Sequence, residues 1–386
     1  MKIATTTLAA CVTALLTLGL VMLYSTSMND MPRGAVVPIG SKYLMTQMVW
    51  CGLGLVACTI AASLDYRLLK KFAWPIFFVV IVMLVLVLIP IPHVTHRIKG
   101  ASRWFKIGPV SFQPSEIAKI ALIIITAWYC DRYQRKMDTL KQGVLIPGVL
   151  IASMLGLIFI EPDRGTTMLL ATVTGLMLLI AGVRLKFIIP PIVLAIIALA
   201  ISLVRDPMRS KRIYSWLNLE ETKDLVGYQA YQAMIALGSG GWFGLGLGNG
   251  RQKLGFVPEH HTDFILSIIG EELGFVATLG VVLGFVLIII CGVYIATQAR
   301  DTFGTMLAAG ITFLIGLQAF INIGVVTSAL PNKGLALPFI SYGGSNLLAM
   351  LACVGILISV ARQAREPEIK PANPFATDEL SGAPST

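Results

Sequence analysis

Ten apolar runs divide this chain, at about 8–24, 44–62, 72–92, 116–130, 143–160, 165–182, 187–204, 264–297, 303–328 and 341–361. A bilayer core about 30 Å thick is crossed by about 20 apolar residues in an α-helix. It holds no water to satisfy backbone polar groups, so only helices and closed barrels cross it. The pattern predicts an all-α, polytopic integral membrane protein with about ten transmembrane helices. The longest gap, 205–262, becomes a large extracytoplasmic loop between helices seven and eight. Composition excludes the soluble alternatives: 56% of the 386 residues are hydrophobic and 13% charged, where soluble proteins carry about 25% charged residues.

Two runs need comment. The first follows Lys2 and precedes Ser25, Thr26 and Ser27, which resembles a signal peptide. Its length, and the nine runs after it, favour a retained helix. The eighth run is too long for one crossing. Glu271 and Glu272 interrupt it early, so 273–297 is expected to span while 264–270 packs against protein near one surface.

With ten spans both termini share a side. A cytoplasmic N-terminus places Arg67, Lys70, Lys71, Arg132, Arg135, Lys136, Lys141, Arg184, Lys186 and Arg300 in short inside loops, with Arg362, Arg365 and Lys370 near the C-terminus. That is the positive-inside pattern. Residues 1–365 read as one membrane domain, and 366–386, rich in Pro, Ala, Ser and Thr, as a disordered cytoplasmic tail. The formal charge of +10 does not indicate nucleic acid, because no basic stretch outside the spans is interleaved with stacking aromatics. The cysteines (Cys11, Cys51, Cys58, Cys130, Cys291, Cys353) sit in or beside apolar runs without metal or disulfide spacing, as small core residues do.

Two outside segments break the charge rule: 93–106, with Arg97, Lys99, Arg103 and Lys106, and 205–212, with Arg205, Arg209, Lys211 and Arg212. Long translocated loops tolerate such charge. The sharper reading is an outward-facing anion site, for which a diphosphate at the membrane surface is the natural ligand. The segment 228–237 is helix-compatible and suited to the interface. The glycine-rich stretch 238–250 follows no strand, so it is not a nucleotide loop; its glycines permit tight turns and close backbone approach to a ligand.

Acidic residues near the spans are few. Asp263 stands just before the eighth run, either as an N-cap or as a catalytic base. Glu116 and Lys119 lie three apart, so they share a helix face and pair, as a structural ion pair or a substrate contact; Gln113 and Pro114 precede them. Asp163, in the turn Glu161-Pro-Asp-Arg164, is placed to cap the sixth helix.

Six blocks together resemble the SEDS family (shape, elongation, division and sporulation). They are Gly100-Ala-Ser-Arg-Trp104, Gln113-Pro-Ser-Glu-Ile-Ala-Lys119, Glu161-Pro-Asp-Arg-Gly-Thr166, the segment 258–263, Gly270-Glu-Glu-Leu-Gly274 and Pro338-Phe-Ile-Ser-Tyr-Gly-Gly-Ser345. They come in the family's order across essentially the whole chain. Gly246-Leu-Gly-Asn249, Gln252-Lys-Leu254 and Leu330-Pro-Asn-Lys-Gly-Leu335 look more like the division branch than the elongation branch. Asn332, Asn346 and Arg164 stand where the usual blocks carry other residues.

The resemblance implies a peptidoglycan glycosyltransferase that joins lipid II units during septal wall synthesis. It works outside the cytoplasmic membrane, with a class B penicillin-binding protein as transpeptidase partner and other division proteins nearby. It implies Asp263 as the essential base, and Arg103, Lys119 and Arg97 or Lys106 as holders of the diphosphate. Glu116, Gln113, Asp163 and Ser341 would contact substrate, and a divalent cation (Mg or Mn) could share the anion. One base and no second nucleophilic carboxylate imply single displacement with inversion. A lipid II flippase, with Glu116, Lys119 and Asp163 along its path, and a division scaffold are the alternatives.

Overall fold

A computed structural model describes residues 1–27, 39–89, 95–98, 101–107, 110–205, 207–257 and 261–364. All ten apolar runs are helices: α1 (Lys2–Ser27), α2 (Ile39–Ser63), α4 (Ala73–Leu88), α5 (Pro114–Arg132), α6 (Ile146–Ile160), α7 (Arg164–Ile180), α8 (Leu185–Arg205), α11 (Ile265–Thr297), α12 (Thr302–Val326) and α13 (Gly344–Arg362). Shorter helices connect them: α3 (Arg67–Lys71), α9 (Pro207–Leu217) and α10 (Tyr228–Ser239). Six described helices are long and apolar enough to cross a membrane by length and composition; α4, α7 and the first half of α8 are apolar but shorter. The expected tail, 366–386, lies outside the described residues.

The helix ends follow local chemistry. Pro114 opens α5, where its missing N–H costs nothing. The Asp163 carboxylate caps α7 by accepting from the Thr166 N–H at 3.2 Å, and Asp301 caps α12 through the Gly304 N–H at 2.9 Å. Each cap satisfies an N–H that the helix leaves free. Between α4 and α5 the basic outside segment is not a plain loop. It folds into an antiparallel meander, β1 (Thr95–Ile98), β2 (Ala101–Ile107) and β3 (Val110–Phe112). Phe105 and Ile107 fall on one face of β2 with Lys106 between them on the other, the period of a strand, and this small sheet stands apart from the helical expectation.

Burial sorts the helices into a centre and a periphery. The apolar stretches of α12 and α13 are 72% and 78% buried within the protein, whereas that of α2 is 22% buried. α5 is likewise buried along most of its length. Glu116, Lys119, Gln318, Asn322 and Asn346 sit on these central helices.

The eighth run departs in detail from expectation. α11 runs unbroken through Glu271 and Glu272 and kinks at Gly274 (φ 80°, ψ −175°). Glutamate has ordinary helix propensity, so the break falls where a glycine tolerates positive φ. Residues 265–272 are all buried, and outward-facing side chains begin beyond the kink.

The glycine-rich segment wraps this kink. Leu245 and Gly246 donate their N–H groups to the Glu271 and Glu272 carbonyls, each at 3.0 Å, and the Phe275 N–H reaches the Gly241 carbonyl at 2.8 Å. These bonds replace those the helix loses at its break. A Cβ at Gly244 (φ 80°) would lie 2.2 Å from the Glu272 carbonyl oxygen. At Gly240, Gly244 and Gly250 the close approach is to the protein's own α11. Glu271 accepts from the Arg251 N–H at 2.8 Å. Glu272 is fully buried and bonds Lys253 at 2.7 Å, the Ser25 hydroxyl at 2.6 Å and the Gly248 N–H at 3.0 Å.

Candidate active site

Asp263 lies one residue before the N-cap of α11, which is Phe264. It is partly exposed, while Phe264 and the residues after it are buried. Its backbone is held from several sides. Asn322 of α12 donates to the Asp263 carbonyl at 2.8 Å and to the Leu335 carbonyl at 2.7 Å. The Ser341 hydroxyl donates to the Thr262 carbonyl at 2.6 Å, and the Tyr342 N–H to the His261 carbonyl at 3.0 Å. The Tyr43 and His261 rings stack with centroids 4.9 Å apart. A Cβ at Gly334 would stand 2.5 Å from Asp263 Oδ2, so any larger residue there would have to displace this carboxylate.

From Asp263 a polar track runs into the centre of the bundle. Gln318 of α12 donates to the Ala336 carbonyl at 2.8 Å and to Asn346 Oδ1 at 3.1 Å. Its own amide oxygen accepts from Lys119 at 3.1 Å. Lys119, only 1% exposed, pairs with Glu116 at 2.8 Å. The expected shared face is present, and the pair is buried. Hydrogen bonding to Gln318 as well gives the ammonium the partners that a buried charge requires.

A second cluster gathers the outer turns. Gln113 donates to Asp163 Oδ2 at 3.3 Å and to the Ser115 hydroxyl at 2.8 Å, and its N–H reaches the Ser345 hydroxyl at 3.1 Å. Asp163 also accepts from the Thr166 hydroxyl at 3.0 Å. Arg103 on β2 clasps the turn before α7, donating to the Glu161 and Pro162 carbonyls at 2.8 and 2.7 Å. Within this clasp Glu161 is 0% exposed, and among the described residues neither carboxyl oxygen has a hydrogen-bond partner. Burial, reinforced by Asp163, raises its pKa to about 8 despite nearby Arg103.

The site residues expected from the sequence thus fall into neighbouring groups: Asp263 with Ser341, Glu116 with Lys119, and Gln113 with Asp163 and Arg103. Arg97 lies on β1 opposite Ser102, and its side chain lies outside the described residues, as do Pro258, Glu259 and His260. Sequence reasoning passed over Gln318 and Asn322, although lone amides inside an apolar run are a signal in themselves. It also passed over Lys333, one residue before Gly334. Lys333 is partly buried and contacts the Met168 sulfur; desolvation lowers its pKa.

Among the described residues no group of three or more His, Cys, Asp or Glu is arranged to hold a metal ion. Glu116 and Asp163 are already engaged by protein donors.

A family model described as cell cycle protein, FtsW/RodA/SpoVE, matches residues 5–366. The chain belongs to this family. A relative in Trichlorobacter lovleyi, named probable peptidoglycan glycosyltransferase FtsW, is 42% identical over 91% of this chain and 91% of its own length. One in Geobacter metallireducens with the same name is 41% identical over 91% and 93%. Among solved structures, a chain from work on polymerization and crosslinking by a peptidoglycan synthase complex superposes with TM-score 0.75 and 26% identity, covering 92% of this chain and 96% of that one. The rod shape determining protein RodA of Thermus thermophilus superposes with TM-score 0.67 and 26% identity over 93% and 97%. FtsW/RodA/SpoVE members span the length of this chain, so the family assignment covers the whole membrane bundle.

Proposed function

We propose that this membrane protein is a peptidoglycan glycosyltransferase that polymerises lipid II outside the inner membrane at the division septum. The observation that carries the reading is the Asp263 carboxylate, partly exposed at the end of the polar track while its backbone is clamped by Asn322 and its neighbour by Ser341. Full burial would deny it to a sugar, and a free loop would not hold it in register.

The acceptor's 4-hydroxyl is a poor nucleophile, and Asp263 takes its proton as the oxygen attacks the donor's anomeric carbon. The bond from that carbon to the undecaprenyl diphosphate breaks, and the lipid diphosphate departs with the electron pair. One displacement converts the α-linked donor into a β-1,4 product. Arg103 retains N–H donors beyond the two it gives to carbonyls, and Lys333 is a second outer cation; together with Arg97 they would meet the leaving charge. Lys119, paired with Glu116, steadies the track beneath. Gln113, Asp163 and Ser341 order the outer turns against which substrate rests. A class B penicillin-binding protein would be the crosslinking partner; the similarity to a chain of a synthase complex supports this.

The test is purified protein with lipid II, its products resolved by gel. Parent protein is expected to yield polymer, and Asp263→Asn to lose about 10²–10⁴-fold in rate with unchanged thermal stability. Lipid II translocation without polymer would give the flippase reading instead, and neither activity would leave a scaffold.

A further inference from the structure

A cleft of about 340 Å³ opens at the opposite end of the bundle from Asp263, between α4, α5 and α6. Its walls include Trp74, Trp128, Tyr129, Tyr133, Val149 and Leu150. Trp74 meets Trp128 edge-on with centroids 5.5 Å apart, and Tyr129 lies 4.8 Å from Tyr133. The Tyr129 hydroxyl is satisfied by the Gln142 carbonyl at 2.8 Å, so the wall presents ring faces and edges. Val149 is 69% exposed, which puts the mouth on the outer surface of the helices, where lipid lies. Indole and phenol rings favour this depth of a bilayer, near the headgroups.

Charge is an independent feature of the same place. Lys71 precedes Trp74 by three residues, Arg132 follows Tyr129 by three, and Arg135 and Lys136 follow Tyr133 by two and three. All four are exposed. Their neighbours are neutralised: Lys70 pairs with Asp131 at 2.6 Å and Arg184 with Asp138 at 3.1 Å. Among the described residues, none of the four has a carboxylate partner.

We propose that this cleft is a binding site for an anionic phospholipid of the inner leaflet, with an acyl chain between Trp74, Trp128 and Leu150 and its phosphate among Lys71, Arg132, Arg135 and Lys136. Basic pockets between transmembrane helices select acidic headgroups in this way. A zwitterionic lipid brings its own cation and gains little from the four. The site is remote from Asp263 and does not depend on the glycosyltransferase reading.

The test uses full-length protein in nanodiscs of phosphatidylcholine doped with lipid brominated on the acyl chain, either phosphatidylglycerol or phosphatidylcholine. Bromine quenches nearby tryptophan fluorescence, and the contribution of this site is the difference between parent and Trp74→Phe/Trp128→Phe. Brominated phosphatidylglycerol is expected to quench that component several-fold more than brominated phosphatidylcholine at equal dose. The preference is expected to vanish in Arg132→Gln/Arg135→Gln/Lys136→Gln, whose changes are all at exposed positions. Filling the cleft with Val149→Phe/Leu150→Phe is expected to abolish quenching by both lipids. Equal quenching in the parent, meaning ordinary surrounding lipid, overturns the proposal. So does a preference that survives the charge variant, or no quenching by either lipid, meaning that protein covers the cleft.

Discussion

Among the described residues neither carboxyl oxygen of Glu161 has a hydrogen-bond partner, and the side chain is wholly buried, which favours its neutral form. With its folded pKa raised to about 8 from 4.5, the folded protein keeps a proton that the unfolded chain has already released. Stability therefore falls as pH rises from about 4.5 to about 8 and levels off above that. The full shift corresponds by linkage to an upper bound of about 5 kcal/mol. Glu161→Gln keeps the shape without the proton, so its unfolding temperature should exceed the parent's at pH 8 and depend less on pH between 5 and 8. Thermal unfolding across that range decides it; an unchanged pH slope in the variant would show that Glu161 does not carry the effect. The sequence marked Asp163 as a cap because capping is a local signal. Glu161 could be read only as part of a turn, since its burial under Arg103 depends on a strand 58 residues away.

At the scale of elements, apolar length alone located every spanning helix, because a bilayer leaves the backbone no other economical form. The kink in α11 and the loop around it were less legible. Glycine spacing announces turns, but which backbone they approach is set by tertiary packing. The link is Lys253, buried against Glu272 and also donating to the Ser25 carbonyl and hydroxyl at 3.2 and 3.0 Å. It thereby ties α1, the glycine-rich loop and α11 together. Lys253→Met strands a buried carboxylate and should cost about 3–5 kcal/mol, read as a lowered midpoint in thermal unfolding. Adding Glu272→Met should restore part of that loss. It should not restore all, because the Gly248 N–H and Ser25 hydroxyl then lack their acceptor. A double variant less stable than Lys253→Met would contradict a charge-pair origin.

For the whole molecule, the two rims sort as the ten-span count requires. Segments expected inside touch one another: Tyr66 with Asp301 at 2.7 Å, Lys70 with Asp131, Arg184 with Asp138, and Gln134 with Thr302 at 3.0 Å. Segments expected outside do likewise: Arg103 with the turn at 161–162, Gln113 with Ser345, and Trp216 with Ser328 at 2.8 Å. The point on which this sorting turns is α11, since a second crossing within it would bring Asp263 and Arg300 to one side. The Gly274 break divides it: the part before the break, 265–273, rises only about 14 Å at 1.5 Å per residue, too little to cross a core about 30 Å thick, and its first turns are buried among other helices. Asp263 and Arg300 therefore lie at opposite ends. With the basic short loops inside, Arg67, Lys136, Arg184 and Arg300 are expected in the cytoplasm, and Arg103, Asp163, Asp263 and Lys333 outside. Single cysteines in a background without the six native thiols check this with a membrane-impermeant maleimide on intact cells. Cysteine at Lys223 or Arg251, both exposed, should label from outside, whereas cysteine at Lys136, Arg184 or Arg300 should label only after lysis. Labelling of position 300 in intact cells together with 251 would require α11 to cross twice. Labelling of 300 without 251 would invert the whole bundle and put Asp263 in the compartment where no glycan is built.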